Sequence, residues 1–250
     1  MKKLLLTLTA TLALTGMAAA EDEVDTHALL AKVDDQTNFK TIDISAKVTV
    51  VAHKPGEEDN ITQCEYFRRD AEDKFMILIL KPEVNKGQGY LKIDENIIFY
   101  DPESRKFSKM TGANNFQDSN AKNSDFQDST LAEDYTVTAF GKEKLGTKDT
   151  YSLTLQAKRN DVTYPKRKIW VEVSTGLLLK SEDYSLSDRL MRTSLYGKYL
   201  KINDRFVPQL MRFDDNLKKG EFTVLTLENP SLNKLPDAVF TQAYLEKVNN

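Results

Sequence analysis

The chain has 250 residues, 40% of them apolar, with 35 basic and 38 acidic side chains and a formal charge of −3. Such weak acidity argues against a nucleic-acid partner, which wants a clustered positive surface. A single cysteine, Cys64, rules out an intramolecular disulfide, and the length suits one all-β unit with a sizeable core.

The first segment, MKKLLLTLTATLALTGMAAA, places two lysines before a short apolar run, with Ala18 and Ala20 at the −3 and −1 positions of a cleavage site. This is the pattern of a secretory signal over residues 1–20, and the run is short for a membrane span. No cysteine follows it to carry a lipid. The expectation is a soluble periplasmic protein forming a single domain over 21–250. Removing Lys2 and Lys3, with no acidic residue alongside, takes the formal charge from −3 to −5.

Residues 24–33 (VDTHALLAKV) have helical spacing. The apolar period then changes to two. Strands are expected over 42–51, 62–69, 74–81, 89–94, 96–101, 105–110, 134–140, 150–158, 167–173, 176–184, 190–200, 205–213 and 221–227. Turn chemistry such as Lys54-Pro55-Gly56, Asp101-Pro102 and Ser174-Thr175-Gly176 falls between them, so neighbouring strands should pair antiparallel. The segment 74–81, KFMILILK, is apolar on both faces and calls for cover on its back as well. Lys166-Arg167-Lys168 at a strand start reads as a contact for lipid headgroups or, with more weight, as a charged edge device. A closing helix is expected over 235–248, with Asp237 or Thr241 as its cap.

Residues 112–134 are polar and of low complexity, and FQDS occurs twice, at 116–119 and 126–129. The segment is a surface loop or a flap, with Phe116, Phe126 and Leu131 as apolar anchors of a lid. Asp118, Asp125 and Asp128 lack the order of a calcium loop.

No catalytic residue, metal or cofactor is expected. There is no Gly-x-Ser-x-Gly elbow or HExxH, and His27 and His53 are the two histidines. Most strands have one dry face and little helix to cover it. A closed barrel, a sandwich and an open sheet with a helical plug all meet that pattern.

Five stretches in consistent order resemble the outer-membrane lipoprotein-sorting family, related to the LolA/LolB carriers. They are GYLKIDENIIFYDPESRKFSKM (89–110), NSDFQDSTLAEDY (123–135), KIWVEVSTGLLLKSEDYS (168–185), FVPQLMRFDD (206–215) and LNKLPDAVFTQAYLEK (232–247). The resemblance implies a mainly β protein, an unclosed antiparallel barrel of about eleven strands plugged by short α-helices around an apolar cavity. It implies a periplasmic carrier of lipid or lipoprotein acyl chains. The implied partners are an inner-membrane transporter of the RND or ABC type and an outer-membrane acceptor. Alternatives from other classes are a phospholipid-hydrolysing enzyme and a non-catalytic structural envelope protein. Candidate cavity residues are Phe75, Ile77, Ile79, Ile98, Leu153, Leu155, Val171, Leu179 and Met211, for each of which plain core packing is the weightier reading.

Overall fold

The structure is a computed structural model and describes residues 24–248. The expected signal segment, 1–20, lies outside the described residues. Helix α1 covers Thr26–Thr37, and the Asp25 carboxylate caps it by accepting from the Ala28 amide at 3.0 Å. Strands β1 (Ile44–His53), β2 (Asn60–Arg69), β3 (Lys74–Lys81), β4 (Gly89–Ile93), β5 (Asn96–Asp101) and β6 (Lys106–Met110) form a first antiparallel meander. A second meander comprises β7 (Tyr135–Leu145), β8 (Lys148–Ala157), β9 (Lys166–Glu172), β10 (Leu178–Tyr184), β11 (Leu190–Ile202), β12 (Arg205–Asp215) and β13 (Phe222–Leu232). The two short helices that remain are α2 (Leu131–Asp134) and α3 (Gln242–Lys247).

All thirteen strands belong to one sheet, ordered β6-β5-β4-β3-β2-β1-β13-β12-β11-β10-β9-β8-β7. Each segment with period-two alternation became its own strand, so the count is thirteen rather than about eleven. Antiparallel pairing of β1 with β13, Val48 opposite Leu227, joins the two meanders. The free edges are β6 and β7. These are consecutive in sequence yet lie at opposite ends of the sheet. The connection over 111–134 therefore has to run from one edge to the other, and it does so across the inner face, where its Phe116 and Phe126 are buried.

That inner face carries two apolar clusters. One takes Val48, Tyr66, Phe75, Ile77, Ile79 and Leu225 from the sheet and Phe116 and Phe126 from the crossing segment. The other joins Leu153, Leu155, Ile169 and Val171 to Leu30 and Val33 of α1 and Leu131 of α2. Cys64 is buried in the first, where desolvation pushes its thiol pKa up.

The C-terminal helix does not plug the opening. It lies on the outer face, where its Leu245 and Phe240 of the preceding 3-10 turn (Asp237–Phe240) cover Met76, Leu78, Leu91 and Tyr100. This is the back cover that the doubly apolar β3 requires. Thr241 caps α3, its Oγ1 accepting from the Tyr244 amide at 3.2 Å. Gly89 permits the docking, because a Cβ there would stand 2.2 Å from Leu245 Cδ2 and 3.1 Å from the Ile77 carbonyl oxygen. Lys166-Arg167-Lys168 lies on β9, two strands in from the β7 edge, so it is not an edge device. Trp170 is buried on the outer face, with the Lys168 and Lys180 ammonium groups 4.6 and 4.4 Å from its ring and its Nε1 donating to Glu143 at 3.0 Å.

Gly89→Ala should cost about 1–3 kcal/mol by overpacking, and Leu245→Ala about 2–5 kcal/mol by leaving a cavity. Because the two changes relieve one another, the double variant should lose clearly less than their sum in urea denaturation. Strict additivity would show that α3 is not seated against Gly89.

Candidate functional site: a roofed cavity on the inner face

A cavity of about 480 Å³ lies between the sheet and the crossing segment, within the range of about 300–1,000 Å³ usual for small-molecule sites. Its apolar wall comes from the central strands, with Val48 on β1, Val207 and Met211 on β12 and Leu225 and Leu227 on β13. The roof carries Phe126 and Leu131 of the crossing segment, with Val33 of α1 and Phe39 just beyond it.

Side-chain contacts along its length seat the roof. Phe116 is fully buried, with its ring centroid 5.0 Å from Tyr90 and 4.7 Å from Phe126. The Tyr66 hydroxyl donates to the Phe126 carbonyl at 2.5 Å, and burial pushes this phenol up to about 12. Arg68 donates to the carbonyls of Gln127 at 3.0 Å and Thr37 at 2.9 Å, and pairs with Asp70 at 2.6 Å. Asp34 of α1 accepts from the amides of Leu131 at 3.0 Å and Ala132 at 2.8 Å and from the Ser129 hydroxyl. Burial raises the pKa of that carboxyl above its ordinary value. Asn38 completes the seam, since its side chain and the Ser129 backbone exchange two hydrogen bonds of 2.9 Å. Helix α1 and the end of the crossing segment are thus stitched into one layer.

The far side of the cavity is charged. Arg167 on β9 donates to Asp183 at 2.7 Å, and Asp183 accepts in turn from Arg192 on β11 at 3.1 Å. Arg192 then forks onto Asp125 of the crossing segment at 2.7 and 3.0 Å. The Arg192 guanidinium lies 5.0 Å from the Tyr164 ring centroid and 4.8 Å from that of Phe213. Asp183 is fully buried. Asp118 meets Lys54 at 2.6 Å and Asp128 lies 3.7 Å from Lys40, so these aspartates are dispersed among basic partners. Among the described residues no cluster of His, Cys, Asp or Glu is arranged to hold a metal ion.

Of the residues proposed from sequence, Met211, Phe126 and Leu131 line the cavity. Phe75, Ile77, Ile79 and Phe116 are buried in the apolar cluster beside it. Leu153, Leu155 and Val171 lie beneath α1. Two placements are corrected. Ile98 faces outward under the C-terminal segment, and its neighbour Ile97 takes the inner position. An irregular register between Leu178 and Lys180 puts Leu178, not Leu179, at the cavity. The arginine–aspartate chain was missed, although Arg167 shares its parity with Ile169 and Val171.

A LolA superfamily protein from Nitrosomonas europaea has the same fold, with 25% identity, a TM-score of 0.78, and 89% of this chain matched to 100% of that one. A DUF1329 family protein from Desulfovibrio piger gives 21%, 0.77, 88% and 97% for the same measures. A putative outer membrane lipoprotein-sorting protein domain from Vibrio parahaemolyticus gives 17%, 0.79, 88% and 97%. No curated protein matches the sequence. The architecture is therefore the LolA-like open half-barrel, mainly β and unclosed. Residues 71–247 match a family model described as "-like: Uncharacterized protein", and the chain belongs to that family.

Asp34→Ala should orphan two amides and a hydroxyl at the seam, at a cost of about 1–3 kcal/mol. Limited proteolysis mapped by mass spectrometry should then cut faster within 127–134. An unchanged cleavage pattern would show that Asp34 does not hold the roof.

Proposed function

We propose that this protein is a periplasmic carrier that shields lipid or lipoprotein acyl chains in the roofed cavity. The observation that carries the reading is a cavity of about 480 Å³ with an apolar wall, under a segment that bridges the sheet's two free edges. The likeness to a LolA superfamily protein supports it. So does the signal pattern over 1–20, with 21–250 as the single carrier domain. Met211 and the lining residues around it hold the chain. Phe116, Phe126 and Leu131 belong to the lid, and Phe75, Ile77, Ile79, Leu153, Leu155 and Val171 form the rigid layers on either side of the cavity.

Moving one methylene out of water gains ~0.8 kcal/mol, so a tail of about sixteen carbons gains on the order of 12 kcal/mol before the costs of binding. Even roughly half of that corresponds to a dissociation constant of some tens of micromolar. Release needs a second state, with the roof displaced or the cavity refilled by its own side chains. An inner-membrane transporter of the RND or ABC type loads the carrier, and an outer-membrane acceptor unloads it. The chemistry is transfer without bond cleavage.

Mass spectrometry of an organic extract of protein purified from its native compartment should find an acylated molecule in near-stoichiometric amount. A tether pairing Asn120→Cys with Thr223→Cys, across a 2.8 Å hydrogen bond, should slow lipid exchange by about tenfold or more, and reduction should restore it. Exchange at the untethered rate would count against the lid. Release of fatty acid from phospholipid vesicles would move the assignment to the hydrolase class.

A further inference from the structure

The arginine–aspartate chain crosses a boundary at which the carrier must open. Arg167, Asp183 and Arg192 sit on strands of the sheet, whereas Asp125 belongs to the crossing segment. Closed, the chain balances two positive charges with two negative ones. Lifting the roof takes Asp125 away and leaves two arginines sharing Asp183. Arg192 then keeps a single carboxylate at a site that is 4% exposed and flanked by the Tyr164 and Phe213 rings. An uncompensated charge in such surroundings is strongly destabilising. Water admitted by opening relieves this in part; an anion at the vacated position relieves it best, because the guanidinium fork matches the two oxygens of a carboxylate or phosphate. The cavity's own surface supplies the rest of the recognition. Arg192, Arg167 and Asp125 all line it, as does the Tyr196 ring, and the apolar wall formed by Met211 and Leu225 adjoins them.

We propose that Arg192 is the headgroup site for an amphiphile with one acidic group, carboxylate or phosphate, whose head takes the place of Asp125 while its tail lies along the apolar wall. The inference rests on the carrier reading and narrows it to acidic cargo. It also couples loading to opening, since the roof and the acid compete for one guanidinium. Asp125 is then an internal stand-in for the cargo's head.

The test uses the delipidated mature protein holding a fluorescent hydrocarbon probe, displaced by palmitate, hexadecyl phosphate or hexadecan-1-ol. At least one acid should displace the probe at about tenfold lower concentration than the alcohol, the scale of one charge-assisted hydrogen-bonded pair. Whichever acid leads identifies the carboxylate or the phosphate as the source. Asp125→Asn removes the competitor and should strengthen binding of the acids severalfold. In the double variant Asp125→Asn with Arg192→Gln, which keeps the Arg167–Asp183 pair, the ratio of acid to alcohol should fall to near one. Equal displacement by acid and alcohol in the unaltered protein overturns this proposal and leaves the carrier reading standing. If no amphiphile displaces the probe, the carrier reading fails and takes this proposal with it. Weaker acid binding in Asp125→Asn, or a preference that survives in the double variant, overturns the assignment to Arg192.

Discussion

The constraint on which the structure depends is the covering of one face of a sheet that does not close. Thirteen strands present an apolar inner surface, and apolar area left in water is costly. The chain meets this with a crossing segment rather than with a second sheet or a helical layer. Because β6 and β7 are neighbours in sequence and opposite edges in space, their connection must link the two edges, and the burial of Phe116 and Phe126 in the inner cluster draws it over the inner face. Three apolar side chains, Phe116, Phe126 and Leu131, fix its position. Hydrogen bonds donated by Tyr66 and Arg68, accepted by Asp34 and exchanged with Asn38 set its height above the strands.

A roof held this way differs in kind from a core. Polar side chains and backbone groups make many of its contacts to the sheet and α1, and the neutral hydrogen bonds among them, unlike the buried Arg192–Asp125 pair, can be exchanged for water at modest net cost. The β-ladders beneath are exchanged only by unfolding. The cavity therefore has one rigid wall and one wall joined by separable contacts. That is the arrangement a site needs if it is to accept and surrender a long apolar molecule without losing its fold.

Much of this was legible in the sequence, because alternation and turn chemistry are local properties. Each of the thirteen segments read as strands became one, and the doubly apolar KFMILILK required the back cover, loop or helix, that Phe240 and Leu245 supply. Faces were harder to read. NIIFYD is apolar at both parities, so periodicity does not choose between Ile97 and Ile98, and the register irregularity beside Leu178 reverses parity within one strand. Strand β11 inverts the usual rule. Arg192 and Ser194 are buried on the inner face, while Leu195 points to solvent. A reading that equates interior with apolar must miss a cavity whose far side is built of charge pairs. Those pairs join residues as distant in sequence as Asp125 and Arg192, and no local pattern brings them together.

The seam between β1 and β13 has a consequence for how the molecule is made. Every other strand pairing joins segments adjacent in sequence, so each meander can assemble as it emerges. Val48 opposite Leu227, however, demands a partner 179 residues away. Contacts of such separation form slowly because a large loop must first be closed. Until the thirteenth strand arrives, the molecule is two half-sheets with exposed edges at what will become its centre, prone to the wrong neighbour. During that interval β1 has no partner on the side that β13 will fill, so the last strand to be made is the one that completes the sheet.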